Sequence, residues 1–122
     1  MKLTGNTILI TGGGTGIGKG LAIKLHELGN KVIICGRRED KLKETAMKYP
    51  GICYKTCDIS SEENRNSLFS YIQANFPEMN VLINNAAIQT DYDLAEGMKG
   101  LENLDREMEI NLLAPIKMNG LF

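Results

Sequence analysis

Several features that would point to particular partners are missing from this 122-residue sequence. Positive charge is not in surplus, because 14 Lys and Arg residues face 15 Asp and Glu residues. The charge balance therefore does not favour nucleic acid or an anionic membrane as a partner. No apolar run approaches the roughly 18 residues that a membrane-spanning helix needs. The chain begins in a strand-like stretch without a signal-peptide pattern, so we expect a cytoplasmic protein.

Histidine and cysteine are also scarce. His26 is the only histidine, and the three cysteines are Cys35, Cys53 and Cys57. Cys53 and Cys57 could supply two ligands of a metal site, but two more ligands would be needed. We therefore expect no metal site. An odd number of cysteines without a signal peptide indicates reduced thiols, which we expect to lie as small buried side chains near strand ends.

Short apolar runs alternate with segments of helical periodicity along the chain. The runs predict buried strands at residues 7–10, 31–35, 52–56 and 81–83. Helices are predicted at residues 17–28, 39–49, about 61–76 and 100–122, with a loop at 88–99. Ile17, Leu21, Leu25 and Leu28 recur at helical spacing in the first helix.

The order βαβαβαβα requires parallel strands joined by right-handed crossovers. The predicted fold class is therefore α/β, a Rossmann-type doubly wound parallel sheet of about four strands. The sequence stops inside the last helical pattern without a closing strand. We interpret residues 1–122 as one such domain that is incomplete at its C-terminal end.

A glycine-rich segment follows the first strand and opens the first helix, at residues 11–20. A strand, a glycine loop and a helix N-terminus together form an anion site, because backbone N–H groups and the helix dipole favour negative charge. A glycine-rich turn without a ligand is the plain alternative. It would not need so many glycines, since each one costs backbone entropy.

Three phosphate-loop patterns compete for this segment. The pattern GxGxxG fits in no frame. The pattern GxxxxGK[ST] matches from Gly13 to Lys19, but Gly20 occupies the position of the hydroxyl that would hold magnesium. The third pattern, TGxxxGxG, fits in full, and its fixed positions are Thr11, Gly12, Gly16 and Gly18.

With this third pattern the sequence resembles the short-chain dehydrogenase/reductase family, and the resemblance extends over nearly the whole chain. It implies a four-stranded sheet of order 3-2-1-4 and a nicotinamide dinucleotide on the loop. The implied loop residues are Thr11, Gly12, Gly14, Thr15, Gly16, Ile17 and Gly18. Within the family, the sequence is similar to bacterial members encoded beside the genes for teichoic-acid D-alanylation, a likeness that names no substrate.

The end of the second strand predicts the choice of cofactor. A dinucleotide fold that binds NAD has an acidic residue about 20 residues past the loop, where it accepts hydrogen bonds from the ribose. Here Gly36 takes that place, followed by Arg37 and Arg38. Arginine is suited to a phosphate group, so the sequence predicts NADP in preference to NAD. The alternative is that both arginines simply begin a solvated helix.

Two further motifs resemble the family's cofactor contacts. Asp58 and Ile59 follow the third strand, where the resemblance implies contact with the adenine. Asp58 could instead cap the next helix, and both roles could hold. Residues 84–87, Asn-Asn-Ala-Ala, resemble the family's Asn-Asn-Ala-Gly turn, which implies that Asn85, Ala86 and Ala87 pass along the cofactor ribose. The Asn amides are expected to tie neighbouring strands together.

Asn111 corresponds to an Asn whose backbone carbonyl, exposed by a helix irregularity, holds a water of the family's proton relay. Pro115 lies four residues later and has no N–H, so the Asn111 carbonyl has no ordinary helical partner. The sequence therefore predicts an irregularity there, and the resemblance implies a catalytic role for Asn111. The alternative is an Asn on the side of the helix without a special role.

The family's catalytic Ser and Tyr-x-x-x-Lys are absent. No Tyr is followed by Lys four places later, and no Ser occurs after Ser70. The chain alone is therefore predicted to be inactive. By resemblance, the full-length protein would transfer a hydride between NADP(H) and a carbonyl or alcohol substrate, with residues 88–92 at the mouth of the site.

Two other functions remain open on the sequence. One is a naturally short, non-catalytic dinucleotide-binding module, and the other is a nucleotide-hydrolysing P-loop enzyme, which Gly20 and Asn84 argue against. The family's last helix in this region builds an oligomer interface, so a homo-oligomer is expected. Leu104, Met108 and Leu112 then face a partner subunit, or else they pack on their own sheet.

Overall fold

The computed structural model describes residues 2–88, 95 and 103–122. Its strands are β1 (Thr7–Thr11), β2 (Lys31–Gly36), β3 (Ile52–Thr56) and β4 (Val81–Ile83). Its helices are α1 (Gly16–Glu27), α2 (Glu39–Lys48), α3 (Glu62–Asn75), α4 (Leu104–Met108) and α5 (Ala114–Leu121), with a π-helical segment at Glu109–Leu113 between the last two. Residues 89–94 and 96–102, which include most of the predicted loop and the predicted start of the last helix, lie outside the described residues.

The four strands form one parallel sheet in the order β3-β2-β1-β4, which confirms the predicted fold class and strand order. In register, Ile8 of β1 lies beside Val32 of β2 on one side and Val81 of β4 on the other. Among the described strands, β4 therefore forms one edge of the sheet and β3 the other.

The core lies on both faces of the sheet because successive side chains of a strand point to opposite faces. Ile8, Ile10, Val32 and Ile34 belong to a cluster with Ala22 of α1 and Leu42 of α2. Leu9, Ile33 and Cys35 belong to a second cluster with Leu68 and Ile72 of α3 and Ala114 and Met118 of α5. Helices cover both faces, as a doubly wound sheet requires.

The residues of α1 that are fully buried differ from the large apolar residues that recur at helical spacing. Ile17 and Leu21 are 78% and 37% exposed, whereas Gly18 and Ala22 are buried. Ile17 and Leu21 of the apolar stripe are therefore not on the buried face, whereas Leu25 is partly buried against the core. Small residues occupy that face because the helix begins directly above the glycine loop and approaches the backbone closely.

The predicted end of the first helix at residue 28 agrees with the structure, in which α1 ends at Glu27 and Leu28 is its C-cap. Gly29 has a φ of 87° and donates its N–H to the His26 carbonyl, while Asn30 donates to the Leu25 carbonyl. This pair of hydrogen bonds is a Schellman motif, which satisfies two carbonyls of the last turn. The motif returns the chain to β2 at Lys31.

Asparagine side chains join the amino ends of three strands. Asn30 Oδ1 accepts from the backbone N–H of Asn6 at 3.0 Å, and Asn80 Oδ1 accepts from that of Thr7 at 2.9 Å. Asn80 also donates to Asn6 Oδ1 at 3.0 Å. These bonds satisfy polar groups at the sheet edge opposite to the glycine loop, so we assign them a structural role.

Candidate functional site

A cleft of about 350 Å³ lies at the carboxyl edge of the sheet. Residues that follow each of the four strands contribute to its walls, with α2 and the π-helical segment. The lining residues are Gly12, Gly14, Thr15, Ile17, Gly36, Arg37, Arg38, Lys41, Leu42, Cys57, Asp58, Ile59, Asn85, Ala86, Ala87, Ile88 and Ile110. In open α/β sheets, ligands bind outside the carboxyl ends of the strands where the strand order reverses, here between β1 and β4.

The glycine loop needs glycine for close packing as well as for its backbone angles. Gly12 has a φ of 66°, and a Cβ on it would lie 2.9 Å from the Ala86 Cα. A Cβ on Gly18 would collide with the Gly12 carbonyl and the Asn85 amide. Gly16 has a φ of 56° and open space around its Cβ position. The loop is thus fixed against the segment after β4, and its outer side is open.

The first turn of α1 supplies no anionic partner for the N-terminus of this helix. Its N-cap residue, Thr15, makes no side-chain capping bond, and its first turn contains no acidic residue. Helix α3 differs, because Ser61 accepts a capping bond and Glu62 and Glu63 follow. The positive end of the α1 dipole is therefore left to attract an anion in the cleft.

Thr11 joins β1 to the segment after β4 and does not line the cleft. Its side chain is fully buried, and its Oγ1 accepts from the N–H groups of Asn85 and Ala86, each at 3.0 Å. The Asn85 amide donates to the Gly12 carbonyl at 3.2 Å. The predicted strand-tying role of this amide is therefore observed. Asn84 instead donates to Asn119 of α5 at 3.0 Å.

Two exposed arginines stand at the β2 side of the cleft. Arg38 Nη2 donates to Thr15 Oγ1 at 3.3 Å, across from the start of α1. The positive charge of Arg37 contributes to lowering the pKa of the Asp58 carboxyl. The two side chains thus add positive charge beside the α1 N-terminus and near the residues that follow β3.

Asp58 accepts hydrogen bonds from the next turn and does not cap α3. Its Oδ1 accepts from the Ser60 N–H at 3.0 Å and the Ser60 hydroxyl at 2.6 Å, whereas Ser61 caps the helix. Burial alone would raise the Asp58 pKa, but the two Ser60 hydrogen bonds and the positive charge of Arg37 lower it below its ordinary value. Asp58 is therefore an anion at neutral pH.

A buried arginine connects the turn after β3 with the π-helical segment. Arg65 of α3 donates to the Ile59 carbonyl at 2.7 Å, and its Nη1 lies 3.8 Å from Glu109. Lys117 also pairs with Glu109, at 3.1 Å. Arg65 therefore helps to hold Ile59 in the cleft wall, although Arg65 itself does not line the cleft.

The predicted helix irregularity falls where Asn111 stands. Ala114 donates its N–H to the Glu109 carbonyl, five residues back, so the hydrogen bonding is of the π type. The Asn111 side chain pairs with the Ile88 backbone: its Oδ1 accepts from the Ile88 N–H at 2.8 Å, and its Nδ2 donates to the Ile88 carbonyl at 2.5 Å. The Asn111 side chain therefore joins the π-helical segment to Ile88, and the catalytic role of Asn111 stays a prediction.

The cleft brings together most of the predicted cofactor residues. Thr11, Gly16 and Gly18 belong to the glycine loop but do not line the cleft. Asn111 does not line the cleft either, but it hydrogen-bonds to Ile88, which does. Sequence reasoning missed Lys41, Leu42, Cys57 and Ile110. Of these, Lys41 and Leu42 could have been found from their place in the first turns of α2, directly after the two arginines.

A metal site and a membrane-spanning helix were searched for in the described residues only. Within residues 2–88, 95 and 103–122, no group of three His, Cys, Asp or Glu side chains is placed to hold a metal ion. The same part of the chain contains no helix that is long and apolar enough to cross a membrane. Cys35, Cys53 and Cys57 are all free thiols. Cys35 and Cys57 are buried as predicted, whereas Cys53 is only partly buried.

The fold and the cleft together define a Rossmann-type α/β protein with an anion-attracting site at its switch point. The chain belongs to the short chain dehydrogenase family, whose model matches residues 6–122. It is 45% identical to an uncharacterised oxidoreductase, DltE, of Bacillus subtilis, over all of this chain and 48% of that protein. It is 39% identical to the 3-oxoacyl-[acyl-carrier-protein] reductase FabG of Rickettsia prowazekii, over 98% of this chain and 47% of that protein.

A crystal structure of 3-ketoacyl-(acyl-carrier-protein) reductase from Brucella melitensis, complexed with NADH, is similar in fold. Its TM-score is 0.88 at 28% sequence identity, and the match covers 98% of this chain and 49% of that one. The chain thus spans about half the length of the relatives that it matches.

Proposed function

We propose that this chain is the cofactor-binding half of an NADP-dependent oxidoreductase. The full-length protein would transfer a hydride between NADP(H) and a carbonyl or alcohol substrate. The observation that carries the proposal is the cleft, to which the segments after all four strands contribute and where the start of α1 and two arginines add positive charge. The Brucella melitensis reductase, which is similar over almost the whole of this chain and was crystallised with NADH, supports the binding of a nicotinamide dinucleotide but not the choice of NADP.

The glycine loop is proposed to hold the pyrophosphate of the cofactor. Gly14, Thr15 and Ile17 line the cleft beside the start of α1, where N–H groups favour an anion. Gly12 lets the loop pass close to Ala86, and Gly18 lets α1 begin close to Gly12. A side chain at Gly12 or Gly18 would prevent this close packing of the loop. The glycines present therefore fit a loop that binds a phosphate-bearing ligand.

Arg37 and Arg38 are proposed to bind the 2′-phosphate that distinguishes NADP from NAD. Both are exposed and line the cleft, and Gly36 offers no carboxylate that would repel a phosphate. Arginine presents several N–H donors in a planar arrangement that matches phosphate oxygens. Asp58 and Ile59 would contact the adenine, and the segment from Asn85 to Ala87 would pass the ribose.

The nicotinamide supplies or accepts the hydride when the cofactor is bound. In this chain, the proposed catalytic contribution is the backbone carbonyl of Asn111, which would hold a water in the π-helical segment. The Asn111 side chain fixes that segment to Ile88 at the cleft wall. Because the sequence has no Tyr-x-x-x-Lys, the chain alone is proposed to bind cofactor without catalysing the reaction.

Equilibrium titration with NADPH and NADH, followed by nicotinamide fluorescence, tests the proposal. We expect tighter binding of NADPH. Arg37→Gln and Arg38→Gln should each weaken NADPH by about 10-fold to 100-fold, the equivalent of one charge-assisted hydrogen bond, and leave NADH nearly unchanged. Lys43→Gln, which removes an exposed positive charge on α2 outside the cleft lining, is the matched control.

Each result of this titration has a definite meaning. Equal or tighter binding of NADH would overturn the preference for NADP. Binding of neither cofactor by a folded chain would overturn the binding function itself. Loss of NADPH affinity in Lys43→Gln as large as in the arginine variants would show an effect of net charge rather than a phosphate site.

A further inference from the structure

A buried arginine lies outside the lining of the proposed cofactor cleft. Arg65 is 5% exposed and lies on the same face of α3 as the buried Leu68 and Ile72. A guanidinium stays positively charged inside a protein, so its burial costs free energy unless polar or charged groups compensate for the lost water. The partners of Arg65 therefore indicate its role.

These partners lie in two different segments of the chain. Arg65 Nη1 donates to the Ile59 carbonyl at 2.7 Å, in the turn after β3. The same nitrogen lies 3.8 Å from Glu109 Oε1, in the π-helical segment. Ile59 lines the cleft, and so does Ile110, which follows Glu109 directly. One guanidinium thus links the two segments that carry these isoleucines.

Glu109 is held by a second cation and balances the charge of Arg65. Lys117 of α5 donates to Glu109 Oε1 at 3.1 Å. The Arg65 side chain is 6% exposed and that of Glu109 is 27% exposed, so water screens their interaction less than that of a surface pair. Without the Glu109 charge, Arg65 would keep a carbonyl partner and a buried, uncompensated charge. We then expect its guanidinium to turn toward water and release Ile59.

We propose that Arg65 is a positioning residue for the adenine end of the cleft and that Glu109 holds it in place. The hydrogen bond from Arg65 fixes the wall that Ile59 forms, and the pair with Glu109 fixes this wall relative to Ile110. Glu109 does not line the cleft, yet its charge controls how tightly the adenosine half of a dinucleotide binds. The identity of this ligand rests on the proposed function.

Titration calorimetry with adenosine 2′,5′-bisphosphate, the adenosine half of NADP, tests the consequence for binding. Glu109→Gln is the decisive variant, because the loss of a negative charge alone should tighten the binding of an anion. The proposal predicts the opposite sign, a weakening of about 3-fold to 10-fold.

A double-mutant cycle identifies the route of this effect. Arg65→Met should weaken the binding of the bisphosphate at least as much as Glu109→Gln does. Glu109→Gln should add nothing further in the Arg65→Met background, since the residue through which Glu109 acts is then absent. Methionine is apolar and about as long as the aliphatic part of arginine, so we expect Arg65→Met to fold.

Two control variants separate positioning from charge and from stability. Glu44→Gln removes an exposed acid on α2, on the opposite face of the sheet from α3, and should not weaken the binding of the bisphosphate. Leu68→Ala removes buried atoms one turn along α3 from Arg65. It should lower the thermal unfolding midpoint at least as much as Arg65→Met but leave the affinity unchanged.

A second measurement needs no ligand. In protein with labelled isoleucine δ1-methyl groups, NMR reports changes in the surroundings of Ile59. Glu109→Gln should shift the Ile59 methyl signal, although Glu109 acts on Ile59 only through Arg65. The same substitution should leave this signal unchanged in the Arg65→Met background.

Three results would contradict the proposal. Unchanged or tighter binding of the bisphosphate by Glu109→Gln would overturn the control of the cleft by Glu109. An Ile59 shift of the same size in the Arg65→Met background would show that Glu109 acts by another route. A loss of affinity in Leu68→Ala as large as in Arg65→Met would show an effect of stability alone.

Failure of the proposed function would be distinct from these results. If the folded, unmodified protein bound neither NADPH nor the bisphosphate, the proposed function would be wrong, and with it the effect on binding. The methyl measurement would still decide whether Glu109 acts on Ile59 through Arg65.

Discussion

Gly18 is the residue at which α1 comes nearest to the glycine loop. A Cβ there would collide with the Gly12 carbonyl and the Asn85 amide, which are parts of the backbone scaffold rather than flexible side-chain ends. We expect Gly18→Ala to lower the free energy of unfolding by about 1–3 kcal/mol, as overpacking usually does. Chemical denaturation measured by circular dichroism gives this value.

Gly20 is the matched control because it lies in the same helix with nothing within 4 Å of its Cβ position. Gly20→Ala should raise stability by about 0.5–1 kcal/mol, since Ala replaces Gly in an exposed helix position. If Gly18→Ala and Gly20→Ala changed stability by the same amount and sign, the close approach would not be what selects glycine at position 18.

Asp58 predicts a pH dependence of stability. Its pKa in the folded protein is lowered, so it stabilises the fold above the ordinary Asp pKa of about 3.9. That contribution is lost as the pH falls through the lowered folded pKa. We therefore expect Asp58→Asn to lose stability at neutral pH and to show a smaller decrease in stability between pH 7 and pH 3 than the unmodified protein.

Urea unfolding at the two pH values measures this difference. Glu44→Gln, at an exposed position in the middle of α2, is the control and should keep the full decrease. If Asp58→Asn lost as much stability on acidification as the unmodified protein, the prediction would be wrong. The Asp58 pKa would then not be lowered by the Ser60 hydrogen bonds in the folded protein.

The π-helical segment is connected to the cleft by one amide side chain. Asn111 makes two hydrogen bonds with the Ile88 backbone, 23 residues away in sequence. Asn111→Ala removes both, so we expect a loss of about 1–3 kcal/mol from two bonds of ordinary strength. Amide hydrogen exchange followed by NMR should show faster exchange at Ile88, whose N–H donates to the Asn111 side chain.

Asn66→Ala, at an exposed position on α3, is the control and should leave the exchange rate of Ile88 unchanged. Unchanged protection of Ile88 in Asn111→Ala would mean that the π-helical segment does not hold the cleft wall. The result would also remove the support for a positioning role of the Asn111 side chain.

Strands and helices were largely predictable from the sequence, whereas several contacts were not. Apolar runs and glycine positions predict β1 to β4 because buried parallel strands have few polar residues. The apolar spacing of α1 did not indicate which residues are fully buried, because those residues are the small Gly18 and Ala22. The hydrogen bonds that Asn85 donates to Thr11 and that Arg65 donates to Ile59 join distant or irregular segments, which no local pattern indicates.

The length of the natural gene product is a further prediction. This chain spans about half of each relative reported above, and β4 forms a sheet edge among the described strands. We expect the intact mass of the product in its source cells to be about twice the 13.5 kDa of this chain. A mass of 13.5 kDa would instead support a short dinucleotide-binding module.

An apolar stripe on the last helical region predicts self-association. Leu104, Met108 and Leu112 are 40%, 45% and 46% exposed, and none of them is a buried member of the two core clusters. Contiguous exposed apolar surface of this kind favours an interface, and closed symmetric dimers are the commonest way to bury one. We therefore expect the protein to form a homo-oligomer through this stripe, and Met108→Asp to shift it toward monomer.

Sedimentation velocity over a range of concentrations measures this shift. Met47→Asp is the matched control, because Met47 is an exposed methionine on α2, on the opposite face of the sheet from α5. A charge on the stripe would have to be desolvated in the interface, whereas a charge at Met47 stays in water. Equal effects of the two substitutions, or a monomer at every concentration, would contradict an interface at the stripe.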